Sequence, residues 1–474
     1  MNFQPVLLWS DLLLWLLTFV AIGLGVYSAH VEHLQRAWAR LSRNAVATGT
    51  ASILCVFLLI GLLDSLHYRP RLESNPAAGA AVRTAHYAVE VRSLLDALLS
   101  SLREHHEKTY SAPLAIRLYV METEETQTGA TRDYPRLRHG GAHLADESGH
   151  LRDIFSSILQ GIALAALLFF LLKMALARYR VPAGGVPANG SGFAWRGVLY
   201  ALGAFLFLAL PIAFLAADYH VFGTDKVGQD VLYQALKSIR TALAIGLVTT
   251  LVMLPLAIFL GIVAGYFRGW ADDLIQYVYT VLNSIPGVLL IAAAVLMMQV
   301  FIDKHSGWFS TAAERADLRL VALCFILGVT SWTGLARLLR GETLKLRELD
   351  YIQAARAFGV SSGRIITRHL LPNLMHLVII ALAMDFSALV LTEAVLSYIG
   401  IGVDPAMMSF GSMINNARME LSREPAVWWS LATAFTFMLV LVLCANLFAD
   451  ALRNALSSMD DAAFEHEADM SGDP

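Results

Sequence analysis

Charge is scarce in this chain. Of its 474 residues only 15% are Asp, Glu, Lys or Arg while 57% are apolar, and the mean hydropathy is +0.58. Soluble domains carry about 25% charged residues, so a water-exposed globule is excluded and a polytopic membrane protein is indicated. Cysteine is nearly absent, and Cys55, Cys324 and Cys444 all fall inside apolar runs. That excludes a disulfide framework and thiolate metal spacing, and leaves the three as small packing residues. A GxxxxGK[ST] phosphate loop is missing, so the chain is not expected to bind ATP itself. No Lys or Arg precedes the first apolar run in MNFQPVLLWSD, which argues against a cleaved signal peptide. The alternating ten-residue pattern of a transmembrane barrel is also lacking.

What the chain does have is apolar length. Nine runs lie near 7–28, 46–66, 154–177, 197–217, 241–265, 287–302, 320–336, 374–396 and 428–449. At roughly 20 residues each they can cross about 30 Å of hydrocarbon as helices. Basic loops face the cytoplasm. Loops 29–45 (Arg36, Arg40, Arg43), 173–196 (Lys173, Arg178, Arg180, Arg196) and 337–369 carry the basic excess, which places the N-terminus outside and the C-terminus inside. The near balance of 35 basic against 38 acidic residues gives no reason to expect a nucleic-acid partner.

The expected fold is thus all-α and polytopic, with about nine transmembrane helices. Two of them fill 1–67, and a small extracytoplasmic insertion, α or α+β, fills 68–153. Two further helices lie in 154–219, a larger helical domain in 220–457, and a disordered acidic tail in 458–474. Within the insertion, HYAVEVRSLLDALLSSLREHHEK has the spacing of an amphipathic helix, APLAIRLYVMET can form a strand, and TEETQTGATRDYPRLRHGGAHL is loop-like. His105, His106, His139, His143 and His150 sit among arginines without ligand spacing and read as surface histidines, so no metal is expected.

Ionisable residues inside spans are costly and therefore informative. Asp64 and Glu393 lie near outer ends, where water can solvate them. Asp385, near mid-span in ALAMDFSALV, is either a hydrogen-bonded packing residue or a group that lines a pathway. Gly261, Gly265 and Gly269 have the four-residue spacing of close helix packing.

One segment is too polar to span: LRELDYIQAARAFGVSSGRIITRHLLPN, Leu346 to Asn373. Ala354, Ala355 and Ala357 favour helix, Gly359 supplies a stop, and Ser361 or Ser362 can cap a second helix. Pro372 starts or kinks the span that follows. Small alanines permit close approach, and Tyr351 and Phe358 are aromatic anchors of the kind interfaces favour.

The series Gln353-Ala354-Ala355, Gly359 and Leu371-Pro372 resembles the signature loop of the membrane subunits of bacterial binding-protein-dependent ABC importers. In that loop EAA is followed by three residues, Gly, nine residues, and an apolar pair or triplet ending in Leu-Pro. The likeness extends to HVFGTDKVGQDV (His220–Val231), AGYFRGWADDLIQYVYTVLNSIPGVLL, LTEAVLSYIGIGVDP and ANLFADALRNAL, which resemble the dipeptide, oligopeptide and nickel permeases of the second-subunit type. RAWARLSRNAV, from residue 36, echoes the basic stretch before that group's first span.

The resemblance implies an ABC importer type I fold over 220–457 with a cytoplasmic coupling loop at 338–373. Asp350, Tyr351, Gln353, Ala354, Ala355, Arg356, Phe358, Gly359, Leu371 and Pro372 would then form or border the coupling helix that docks on an ATPase. Gly223, Thr224, Asp225, Gly228 and Asp230 would form an external turn, with Asp225 able to cap the helix after it. The implied partners are a second permease, one or two ATPase subunits holding ATP and Mg, a periplasmic solute-binding protein, and a peptide or similar small solute. The chain itself would be a non-catalytic permease of the bacterial inner membrane. Gln353 stands where the family usually has Glu, Gln229 where it has Arg, and Thr280 where Asp is common. Two other classes remain: a secondary transporter, which the few midplane charges disfavour, and a receptor or scaffold sensing a ligand through 68–153.

Overall fold

The computed structural model describes residues 3–28, 32–71, 87–126, 129–144, 147–180, 194–309 and 311–471. Among them, eight helices are long and apolar enough to cross a membrane: Ala45–Asp64, Glu147–Ala177, Trp195–Leu215, Val231–Phe267, Gly287–Lys304, Ala312–Arg347, Ser362–Tyr398 and Trp429–Leu456. The first expected span appears as a 20-residue helix in which Trp9–Gly23 is the apolar part. The chain is a helical, multi-pass membrane protein.

The described residues divide into two compact units. The first takes residues from Met1–Leu7, Ala29–Ala242 and Met408–Ala451, and the second from Leu8–Ser28, Leu243–Met407 and Leu452–Pro474.

In chain order the elements begin with β1 (Phe3–Val6), α1 (Trp9–Ser28), α2 (Glu32–Arg43) and α3 (Ala45–Asp64). The insertion follows with β2 (His67–Pro70), β3 (Arg92–Ser93), α4 (Leu94–Leu98), α5 (Ser100–Glu104), β4 (Glu122–Thr126) and β5 (Gly129–Asp133). Then come α6 (His150–Arg180), α7 (Trp195–Leu215), α8 (Val231–Phe267), α9 (Trp270–Ser284), α10 (Gly287–Lys304), α11 (Ala312–Ser331) and α12 (Thr333–Arg347). The chain closes with α13 (Asp350–Ala357), α14 (Ser362–Ile365), α15 (Leu371–Tyr398), α16 (Phe410–Glu420) and α17 (Trp429–Ser471).

In the first unit, the Asn44 side-chain oxygen accepts from the Val46 and Ala47 amides and so starts α3. α6 and α7 form an antiparallel pair that packs closely because Gly161 lies against the Pro211 backbone. β1, β2 and β3 form an antiparallel sheet in which Phe3 faces Pro70 and His67 faces Ser93. The insertion differs from expectation in three places. The stretch expected as one amphipathic helix yields two short helices, because the Ser93–Asp96 capping box starts α4 late and Leu99 interrupts the turn. Its first residue, 86, lies outside the described residues. APLAIRLYVMET is mostly irregular, joined by the isolated bridges Ser111–Leu118 and Arg117–Arg136, with strand only at its end. The stretch expected as a loop instead forms the β4–β5 hairpin.

In the second unit, two apolar clusters hold the helices. Ala244, Ile245 and Val248 of α8 meet Ile291 and Val295 of α10, Leu320 to Leu327 of α11 and Leu396 of α15. Met253, Ala257 and Ile262 of α8 meet Trp332 to Leu339 and Leu374 and Val378 of α15. The Asp317 carboxylate of α11 accepts from the amides of Trp9 and Ser10, neutralising the N-terminal end of α1. Where disorder is expected, the described part of the acidic tail continues α17 as helix through Ser471; its Ala, Met and Glu content favours helix, and neither Gly nor Pro intervenes before Gly472.

Candidate functional site

The polar segment after α12 makes a corner. α12 stays helical to Arg347, so about the first third of the expected coupling loop belongs to that helix. The chain then turns into α13, two turns long, whose one buried residue is Ile352. Ile352 packs with Tyr266, Ile365 and Leu370, and Ala355 and Val360 border the same cluster. The opposite face is bare: Phe358 is 87% exposed, Tyr351 46%, and Asp350, Gln353, Ala354 and Arg356 are exposed as well. The two alanines therefore differ, because Ala354 faces solvent while Ala355 is half-buried.

Gly359 ends α13 with φ of 76°, a left-handed conformation that costs a non-glycine residue roughly 1 kcal/mol or more. Ser361 occupies the N-cap position of α14 without a side-chain bond; its carbonyl accepts from the Arg364 and Ile365 amides. α14 has only four residues and passes through a π turn at Ile366–Leu370 into α15, with Leu371 and Pro372 in the first turn. Pro372 starts the span, as a proline can in a first turn, where no intrahelical partner is lost. Side chains tie the corner together. Gln353 Nε2 donates to the Glu348 carbonyl at 3.0 Å, and Asn373 Nδ2 donates to the Tyr351 hydroxyl at 3.1 Å.

The external turn is built in the opposite manner. Gly223, Thr224, Gly228 and Asp230 are buried, Thr224 and Asp230 completely. The insertion covers them. Thr224 N donates to the Ser111 carbonyl at 3.1 Å, Ser111 N to Thr224 Oγ1 at 2.7 Å, and Glu107 N to the Gly228 carbonyl at 3.0 Å. A Cβ on Gly228 would overlap the Glu107 carbonyl oxygen, so only glycine fits under this strand of chain. Trp429 Nε1 of α17 donates to the Thr224 carbonyl at 3.0 Å. Asp225 does not cap α8. It accepts from the Val227 and Gln229 amides and folds its own turn, while Asp230, next to the helix start, accepts from Leu232 and Tyr233 and is the cap.

Between insertion and turn lies a charged cluster that the sequence reading missed. His220 Nδ1 is 2.8 Å from Asp230, and its Nε2 is 3.5 Å from Glu107. Glu107 also accepts from the amides of Arg138, His139 and Gly140. Burial alone would raise the Glu107 carboxyl, but His220 and these three amides outweigh it and hold it at about 2. Burial alone would lower His220, but its pairing with Asp230 and Glu107 pushes it up to about 9. Both residues stand in quoted stretches, LREHHEK and HVFGTDKVGQDV, yet they are 113 positions apart and only the fold joins them.

Of the two motifs, the family match reaches the coupling corner. The family described as "Binding-protein-dependent transport system inner membrane component" matches residues 257–458. The glutathione transport system permease protein of Pectobacterium atrosepticum is 33% identical over 55% of this chain and 86% of its own. The chain belongs to this ABC importer permease family. The oligopeptide transport system permease protein of Mycobacterium tuberculosis is 34% identical over 50% of the permease and 75% of its own length, and the dipeptide transport system permease protein of Bacillus subtilis 29% over 50% and 68%. A solved methionine ABC transporter, captured inward facing, overlaps 48% of the permease and 97% of its own chain at 16% identity and a TM-score of 0.36. Membership gives the permease the ABC importer type I fold in its C-terminal half.

Other singled-out residues of the permease fall as follows. Asp385, half-buried in α15, makes no hydrogen bond or ion pair among the described residues. Asp64 is not solvated at an outer end: it is 2% exposed, accepts from Ser93 Oγ at 2.6 Å and pairs with Lys237 at 2.7 Å. Glu393 is likewise buried and accepts from Ser397 Oγ at 2.6 Å. In both cases a neighbour supplies in the protein what water was expected to supply. Gly261 and Gly265 do lie against α12, next to the Ala336 and Arg340 carbonyls, but Gly269 has open space around it and serves the turn into α9 with φ of 62°. His105 and His139 stack at 4.6 Å, His143 lies 3.0 Å from Asp153, and His150 bonds the Leu114 carbonyl.

Proposed function

We propose that this permease is the membrane subunit of an ATP-driven, binding-protein-dependent importer of peptides or a similarly handled small solute. It forms the translocation pathway with a second permease, and α13 docks on one of one or two ATPase subunits that hold ATP and Mg. A periplasmic solute-binding protein delivers the load. The permease performs no covalent chemistry. Its basic loops place the N-terminus outside and the C-terminus in the cytoplasm.

The observation that carries this reading is the bare face of α13. A two-turn helix anchored by one fully buried residue, Ile352, while Phe358 stands 87% exposed, leaves an aromatic anchor uncovered among the described residues. ATP binding would draw the ATPases together and move α13, and α12 and α15, continuous with it, would follow. That motion would open the pathway outward for the binding protein to release its solute, and hydrolysis would reset it. Asp385, unpaired among the described residues, lines the pathway in this scheme. The glutathione, oligopeptide and dipeptide systems of the relatives support the peptide assignment.

The test is Ala354→Arg, since Ala354 is exposed while Ala355 helps to fill the cluster beneath. The variant should fold and insert normally yet lose its ATPase during purification in mild detergent. Retention of the ATPase and normal uptake would sink the docking assignment.

A further inference from the structure

α13 is held by more than its two neighbours in sequence. Its buried side chain, Ile352, seats against Tyr266, in the last turn of α8. Tyr266 is 4% exposed and is engaged in three ways. Its ring packs with Ile352, Ile365 and Leu370. The Arg356 guanidinium stands 5.7 Å from the ring centroid, within cation–π reach. The Tyr266 carbonyl accepts from Arg347 Nη1 at 2.7 Å, and two residues on, Arg268 pairs with Glu348 at 2.7 Å. Arg268 itself sits at φ of 57°, followed by Gly269 at 62°, so the turn out of α8 is a sharp left-handed corner held against the α12–α13 corner. The bonds to Arg347 and Glu348 hold the chain just before α13, and the Arg356 contact holds its last turn. A helix of two turns has little packing of its own, so whatever displaces it must act on the side chain it is seated upon.

We infer that α8 is a third transmembrane helix driven by α13, in addition to α12 and α15, and that Tyr266 is the positioning residue that transmits the displacement. This rests on the coupling reading above. Covalent continuity delivers motion to the two flanking helices; the Tyr266 seat delivers it to a helix 84 residues back in sequence. Gly261 and Gly265, which let α8 lie against the α12 backbone, keep the same surfaces in register above the seat.

The experiment uses the full complex of both permeases and the ATPases in lipid, with native cysteines replaced and spin labels at Phe259→Cys on α8 and Met297→Cys on α10, both exposed positions in the second unit. The distance between labels is measured with and without a non-hydrolysable ATP analogue, and the bound ATPase is quantified in the same preparation. Nucleotide should shift the distance in the parent complex. Tyr266→Ala should abolish most of that shift while the ATPase stays bound, and Tyr266→Phe, which keeps the ring and the carbonyl, should preserve it. A full shift in Tyr266→Ala, or no shift in a parent complex that does hold its ATPase, overturns the inference and leaves the coupling reading standing. Absence of the ATPase from the parent complex overturns the reading and the inference together. Should Tyr266→Ala fail to fold, Arg268→Glu should reduce the shift and addition of Glu348→Arg should restore it; an unreduced shift in Arg268→Glu overturns the inference.

Discussion

At the external turn, Thr224 and Asp230 are fully buried and Thr224 is bonded to the permease's own insertion; at the coupling corner, Phe358 is 87% exposed and Asp350, Gln353, Ala354 and Arg356 are open to solvent. Both segments carry family motifs of similar length and both turn on glycines with left-handed backbone. The difference lies in who completes them. The insertion supplies Glu107, Ser111 and the Arg138–Gly140 amides to the external turn, so that motif is finished within one chain. No described segment covers the exposed face of α13, and that is the face the proposal gives to the ATPase. A motif of family-like sequence is therefore a finished, buried turn in one place and an open surface in the other, and only the packing tells them apart. The contrast also bears on the receptor alternative: an insertion bonded this closely to the permease turn is part of the permease fold, and its removal would uncover the buried polar groups of the turn.

The largest effect that would break this comparison is expected from Glu107→Ala. It leaves three amides without their acceptor and His220 without one of its two carboxylate neighbours in a buried site, a loss of roughly 3–5 kcal/mol for a broken buried pair. The measurement is thermal unfolding of the purified permease together with protease sensitivity of the insertion. Unchanged melting would mean that the insertion rests lightly on the turn. Glu107→Gln, which keeps one acceptor oxygen, should lose less.

A gentler probe of the same cluster is pH. His220 is raised to about 9 from an ordinary 6.5, so its stabilisation is fully present below pH 6.5 and is lost as pH rises through 9. Glu107 is lowered to about 2 from 4.5, so its share is present above pH 4.5 and is lost as pH falls through 2. Between pH 6.5 and 9 the first unit should weaken by about 3 kcal/mol, and His220→Gln should flatten that slope. A slope that persists in His220→Gln would assign the titration elsewhere.

Much of the spanning architecture was legible in the sequence because apolar length is a strong local signal, and the α13 corner was legible because Gly359 and the alanines write it in consecutive residues. The insertion was not. Its hairpin lies in a Thr- and Glu-rich stretch without apolar alternation, and its anchoring residues, Glu107 and Ser111, acquire meaning only opposite His220 and Thr224. Asp64 was misjudged for the same reason, since Ser93 and Lys237 reach it from distant positions; the Glu393 partner, Ser397, lies one helical turn away in sequence. Tyr266 gave no signal of its own: in AGYFRG it looks like any aromatic at the end of a span.

The smallest expected effect sharpens the open side of the comparison. Gln353 replaces the family's usual Glu, and its Nε2 is turned back onto the Glu348 carbonyl. A carboxylate cannot donate that bond, so Gln353→Glu should release the side chain toward solvent. The lost bond is exposed, and the permease alone should change in stability by no more than about 1 kcal/mol. An added charge at an exposed interface is worth roughly 0.2–1 kcal/mol, so binding of the ATPase, titrated against the detergent-solubilised permease, should tighten by about two- to fivefold, and salt should erase the gain. Weaker binding would reverse the reading of this residue: the bond from Gln353 to Glu348 would then be what holds the bare face of α13 in its docking shape.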